Sequence, residues 1–186
     1  MIKLSEIVIL SGSPSESSRT DLVLQYAGKK LKHEGFSVTH VSVRDIPSDD
    51  IFNLNFDSPA LKNLTLLIQG AEGVIVGSPV YKAAYTGVLK AVIDLLPQDV
   101  LARKTVLPIM TGGSPAHLLA IDFSLKPLLA ALKGQSLQGV YFQDCQIDKT
   151  QVVNPIIDVN VLERLKKELY YFIEAVNQKK DFALKN

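Results

Sequence analysis

Short apolar runs and longer stretches of helical spacing alternate along the whole chain. The runs fall at residues 7–10, 37–43, 73–77, 105–110 and 139–142, and runs of that length rich in Val and Ile predict strands. The first and third are apolar throughout, as strands covered on both faces must be. Between them, Leu22, Val23, Tyr26, Ala27 and Leu31 share one helical face, and Leu61, Leu64, Leu67 and Ile68 share a second. Val88, Leu89, Val92, Ile93 and Leu96 mark a third helix, ended by Pro97. A fourth is expected over 115–133. A fifth closes the chain with Leu162, Leu165, Leu169, Phe172, Ile173 and Val176 inward, and the polar residues after Gln178 are expected to fray. Strict alternation of strand and helix predicts an α/β fold, a doubly wound parallel sheet of five strands, built as one domain over 1–186.

Composition agrees with that picture and removes several classes of partner. The chain is 47% hydrophobic and 21% charged, enough to build a core on both faces of a sheet. Twenty Lys and Arg stand against nineteen Asp and Glu, a net charge of +1, so the broad positive field of a dedicated nucleic-acid binder is not expected. No apolar run is long enough to span a bilayer, so no membrane partner is expected. The chain runs into its first strand without a basic leader, and its single cysteine, Cys145, cannot form an internal disulfide. Both features fit a cytoplasmic protein, with Cys145 expected as a small buried hydrophobe. No Cys/His cluster has metal-ligand spacing, and no metal is expected.

In a doubly wound sheet, ligands bind beyond the carboxyl ends of the strands, where strand order reverses. That rule selects three loops. Residues 11–20 supply Ser11, Ser13, Ser18, Arg19 and Thr20 ahead of a helix N-terminus, a set suited to a phosphate: hydroxyls and N–H groups donate, and the arginine and the helix dipole favour the anion. The loop lacks the lysine of a Walker motif and the three glycines of the dinucleotide fingerprint; the plainer reading is a polar turn with a Ser or Thr N-cap. Residues 77–87 bring Pro79, Val80, Tyr81 and Lys82 over the sheet edge, where a flat ligand could stack or Tyr81 could simply pack. Residues 111–117 contain Thr111, Gly112, Gly113, Ser114 and His117. Adjacent glycines let backbone N–H groups approach the edge of a ring, or merely turn the chain. No nucleophile elbow and no carboxylate pair occurs in these loops, Glu16 being isolated, and no side chain is singled out as catalytic. A phosphate cradle, an aromatic platform and a backbone-lined edge together fit FMN, whose ring carries its own reactivity.

These residues resemble the NADPH-dependent FMN reductases, and especially the reductase of bacterial alkanesulfonate-utilisation systems. The likeness covers nearly the whole chain. It rests on Gly12-Ser13-Pro14 followed by Ser18-Arg19, on residues 57–62, on Pro79-Val80-Tyr81-Lys82-Ala83-Ala84-Tyr85 with Gly87 and Leu89-Lys90, and on Thr111-Gly112-Gly113 with residues 116–120. The resemblance implies a flavodoxin-like sheet in the order 2-1-3-4-5, with FMN phosphate at Ser11, Ser13, Ser18, Arg19 and Thr20 and the flavin ring between residues 79–82 and 111–114. It further implies hydride transfer from NADPH, a homodimer or homotetramer, and in two-component members a partner flavin-dependent monooxygenase that cleaves sulfonates. Lys82 is a candidate for the 2′-phosphate of NADPH. The family's fourth helix carries a π-bulge at the oligomer interface; Pro127, which blocks one backbone bond, fits an irregular turn in that helix here, and Phe123 stands where a tyrosine is typical. Two alternatives therefore stay open: a flavoprotein that retains FMN and reduces quinones, azo dyes or metal oxyanions, and a flavodoxin-type electron carrier.

Overall fold

The computed structural model describes residues 6–184. Its elements run β1 (Glu6–Ser11), α1 (Arg19–His33), β2 (Ser37–Ser42), α2 (Ser48–Phe52), α3 (Pro59–Gly70), β3 (Gly73–Pro79), α4 (Gly87–Ile93), β4 (Thr105–Gly112), α5 (Lys126–Ala131), β5 (Gln135–Ser136), β6 (Val140–Gln143) and α6 (Val159–Leu184). All strand pairs are parallel. The order is β2-β1-β3-β4-β5, with β6 also on β4, the flavodoxin-like arrangement.

Each central strand feeds two cores by alternation. Val8, Leu10, Val74, Val76, Val106 and Met110 face α3, α4 and α5, while Ile7, Ile9, Ile75, Leu107 and Ile109 face α1 and α6. Period-two alternation of side chains makes this unavoidable once both faces are covered. Burying a residue of this kind stabilises the fold by about 1.5–3 kcal/mol. Helix α6 contributes Val161, Leu165, Leu169, Phe172 and Val176 at helical spacing, close to the expected face. Helix α1 is framed at its N-terminus by Ser18, whose side chain accepts from the Asp21 N–H, and at its C-terminus by Lys30, Lys32 and His33, charges that match the helix dipole.

The structure departs from the sequence expectations in five places. The fifth strand position is split: β5 pairs with Thr105 and Val106, β6 with Ile109 to Gly112. Pro108 lies between those stretches of β4 and cannot donate to a ladder. At the break, Gly139 has φ +83°, and a Cβ there would lie 2.5 Å from the Pro108 carbonyl oxygen. Its N–H is taken up by the buried Glu168 carboxylate of α6 at 3.1 Å. The third helix stops at Ile93 rather than Leu96, although Leu95 and Leu96 remain buried. The helix that spacing alone predicts over 115–133 is broken into a 3₁₀ turn (Pro115–His117), a π turn (Ile121–Leu125) and α5, the π turn falling in the helix where the family resemblance implies a π-bulge. In a regular helix the Pro127 ring would collide with the Phe123 carbonyl, and the wider turn relieves that contact. Helix α6 continues to Leu184 instead of fraying after Gln178, and Lys179 Nζ donates to the Arg103 carbonyl at 3.1 Å. Finally, Cys145 is exposed, because β6 ends at Gln143 and leaves the cysteine on the 3₁₀ turn Asp144–Gln146. Among the described residues no helix is long and apolar enough to cross a membrane.

Replacing Gly139 by Ala adds a Cβ against backbone at a left-handed residue, so G139A should lose about 2–4 kcal/mol of unfolding free energy. Urea denaturation of the two proteins measures this.

Candidate functional site

Strands β1 and β3 are neighbours, yet α1 packs on one face of the sheet and α4 on the other. The loops leaving these strands must therefore part, and in a doubly wound sheet the place for a ligand is above their carboxyl ends. The loops that diverge are the first two selected from the sequence, and the loop after β4 flanks them.

Buried hydrogen bonds fasten the three together. Gly12 N–H donates to the Gly77 carbonyl at 2.7 Å, and Thr86 Oγ donates to the Gly12 carbonyl at 2.6 Å. Val80 N–H donates to the Thr111 carbonyl at 2.7 Å. The hydroxyls of Thr20 and Thr111 lie 2.7 Å apart, both residues buried, and join the first loop to the third. Thr20, Val80 and Thr111, singled out from the sequence in three separate loops, are thus joined by hydrogen bonds.

Within the first loop, Ser11, Ser13, Ser18 and Thr20 are all buried. The Ser11 hydroxyl donates to Asp21 and accepts from the Ser13 N–H at 3.3 Å, so it braces the turn. Asp21 is also paired with Arg44 at 3.4 Å. Ser13 Oγ accepts from the Ser15 N–H, and Ser18 caps α1. Arg19 opens the helix with its Nε buried and without a hydrogen-bond partner. A buried guanidinium N–H without a partner costs free energy unless something accepts from it. An anion at the helix N-terminus meets that need, so the residues present fit a phosphate group.

The second loop carries backbone strain. Tyr81 and Ala84 exchange backbone hydrogen bonds of 2.8 and 3.2 Å around Lys82 and Ala83, whose φ angles are +51° and +65°. This is a type I′ geometry without glycine, and each such side chain costs about 1–2 kcal/mol. The turn presents Tyr81 and Lys82 outward, with Tyr81 half exposed. Pro79 and Val80 are half-buried beneath it.

The third loop is positioned by a residue that the sequence did not single out. Tyr141 of β6 donates its hydroxyl to the Ser114 carbonyl at 2.6 Å, and a Cβ on Gly112 would come within 2.7 Å of that oxygen. A side chain there would have to displace the phenol from its bond to Ser114. Burial, with a smaller contribution from Asp144, raises the Tyr141 phenol above its ordinary pKa, so it remains a donor at neutral pH. Gly113 is exposed, and Ser114 caps the Pro115–His117 turn through the Ala116 N–H. His117 has a buried Nδ1 without a partner. Thr86 and Asp144 were also missed. Thr86 carries a visible signal, a threonine directly before the apolar α4, whose Leu89 N–H it caps at 3.2 Å. Asp144 carries none, because only the sheet register brings the end of β6 beside the first loop.

Comparison with known proteins identifies the family. Residues 5–147 match the family model described as NADPH-dependent FMN reductase. The chain is 44% identical over 172 residues to an FMN reductase (NADPH) of Pseudomonas putida, covering 91% of this chain and 87% of that one. It is 43% identical over 174 residues to an FMN reductase (NADPH) of Escherichia coli, covering 93% and 91%. Among solved structures, the apo form of an NADH:FMN oxidoreductase superposes with a TM-score of 0.79 at 34% identity, covering 90% of this chain and 88% of that one. The chain belongs to the NADPH-dependent FMN reductase family.

Either Thr20→Val or Thr111→Val leaves one buried hydroxyl unpaired and should cost about 1–3 kcal/mol, whereas the double variant should cost less than the sum of the two. A double-mutant cycle by chemical denaturation checks this.

Proposed function

We propose that this member of the NADPH-dependent FMN reductase family binds FMN across the three loops, reduces it with a hydride from NADPH, and releases it. The observation that carries the reading is the buried Arg19 Nε without a partner beside the buried hydroxyls of the first loop, a loop that Thr20 ties to Thr111 ahead of Gly112-Gly113.

In this reading, Arg19, Ser13, Ser18, Thr20 and the first N–H groups of α1 hold the phosphate, with Ser11 bracing the turn from behind. When bound, FMN supplies a ring that accepts the hydride of the nicotinamide. Pro79, Val80 and Tyr81 cover a face of that ring, and the N–H groups of residues 111–114 address its polar edge, with His117 beside them. Lys82, exposed on the strained turn, is available to the 2′-phosphate of NADPH. Hydride transfer between two bound rings asks the protein for position and for exclusion of water, which rigid loops supply.

The reading extends to assembly and to the fate of the product. Leu118, Leu119 and Phe123 are exposed at and before the π turn, an apolar strip that supports self-association as a homodimer or homotetramer. Reduced FMN that leaves the site would serve a flavin-dependent monooxygenase of the sulfonate sulfur-assimilation type, as the family resemblance suggests.

The test is the flavin content of the freshly purified protein together with NADPH oxidation with and without added FMN. The expected result is nearly colourless protein that consumes NADPH only when FMN is supplied. Yellow protein that turns over without added FMN would contradict release and favour a retained flavin serving quinones, azo dyes or metal oxyanions. Bound flavin with no NADPH oxidation would mark an electron carrier.

A further inference from the structure

The Arg19 guanidinium has a second neighbour that the proposed FMN site does not use. Asp144 Oδ2 lies 3.9 Å from Arg19 Nη1. The same oxygen lies 3.7 Å from where a Cβ on Gly113 would stand, so one carboxylate oxygen sits between the phosphate loop and the ring loop. Local hydrogen bonds hold it there. Asp144 opens the 3₁₀ turn Asp144–Gln146, which is closed by reciprocal bonds between Gln143 and Gln146. Gln146 is in turn tied to Asp158 at 2.9 Å. Arg19 and Asp144 are both partly exposed, with side-chain accessibilities of 36% and 43%, and a pair so exposed contributes little to stability. A negative charge at the mouth of an anion site has a larger effect on the anion than on the fold.

We propose that Asp144 sets the flavin selectivity of this site: its carboxylate partners Arg19 before the ligand arrives and opposes the flavin phosphate once it is bound. FMN is thereby held loosely enough to leave, and its advantage over the unphosphorylated flavin is narrowed. The inference rests on the FMN reading above and concerns only the phosphate end of the ligand. A phosphate monoester carries between one and two negative charges at neutral pH, and a carboxylate sharing its counter-cation competes with it. The opposite role is equally specific: were Asp144 chiefly a prop for Arg19, its removal would weaken FMN. The two roles predict opposite signs.

The experiment is titration of the purified protein with FMN and with riboflavin, read by quenching of flavin fluorescence, for the wild type, D144N and D144E. The expected result is D144N binding FMN about 3- to 10-fold more tightly, riboflavin unchanged within about twofold, and D144E close to wild type. Added salt should shrink the difference between D144N and wild type for FMN. Unchanged or weakened FMN binding in D144N, or equal shifts for both flavins, overturns the inference. Wild-type protein that quenches neither flavin overturns the proposed function and this inference with it. Binding of both flavins with unaltered selectivity in D144N overturns this inference alone. D144E separates loss of charge from loss of the turn: if D144E tightens FMN as D144N does, the charge is not the cause and the inference fails.

Discussion

Two neighbouring parallel strands that send their connections to opposite faces of the sheet cannot keep those connections together, and everything at the candidate site follows from that constraint. The loop after β1 leads to α1 on one core, and the loop after β3 leads to α4 on the other. The gap between them lies at the carboxyl edge, where strand order reverses. It receives the dipole of α1 from one side and the glycine-rich loop after β4 from the other. A chain of this family needs little further apparatus to hold a flavin nucleotide, because the reacting ring belongs to the ligand.

A gap between diverging loops would be soft without ties across it. Those ties are short-side-chain hydroxyls and backbone groups: Thr20 to Thr111, Thr86 to Gly12, Val80 to Thr111. All are buried or nearly so, and in a low-dielectric setting a lost partner costs more than a formed bond contributes. The strained turn at Lys82 and Ala83 survives because the backbone on either side is pinned, Tyr81 to Ala84 and Val80 to Thr111. The frame is pinned at its base by these bonds and projects the exposed side chains of Tyr81 and Lys82 at its rim.

Much of this was legible in the sequence, for physical reasons that can be stated. Strands β1, β3 and β4 announce themselves because burial on both faces demands unbroken apolar runs. Topology selects the three loops, since a parallel sheet leaves only one edge for its ligands, and the structure ties those loops to one another. The two-residue strand β5 has no apolar signal, and the split it shares with β6 depends on Pro108 sitting opposite Gly139. The broken fourth helix was foreshadowed by Pro127 and by the family resemblance, though helical spacing alone suggested one continuous helix. Tyr141, Asp21 and Asp144 were invisible because their importance lies in contacts between residues far apart in the chain. Cys145 was placed in the core by the habit of its residue type, and the end of β6 two residues earlier leaves it exposed.

The most direct test of the central claim is a crystal structure of the protein grown with FMN. The account predicts the phosphate within hydrogen-bonding reach of Arg19 and the buried hydroxyls of the first loop, with the ring between residues 79–82 and 111–114. Flavin bound elsewhere, or bound with its phosphate turned away from Arg19 and the α1 N-terminus, would contradict it.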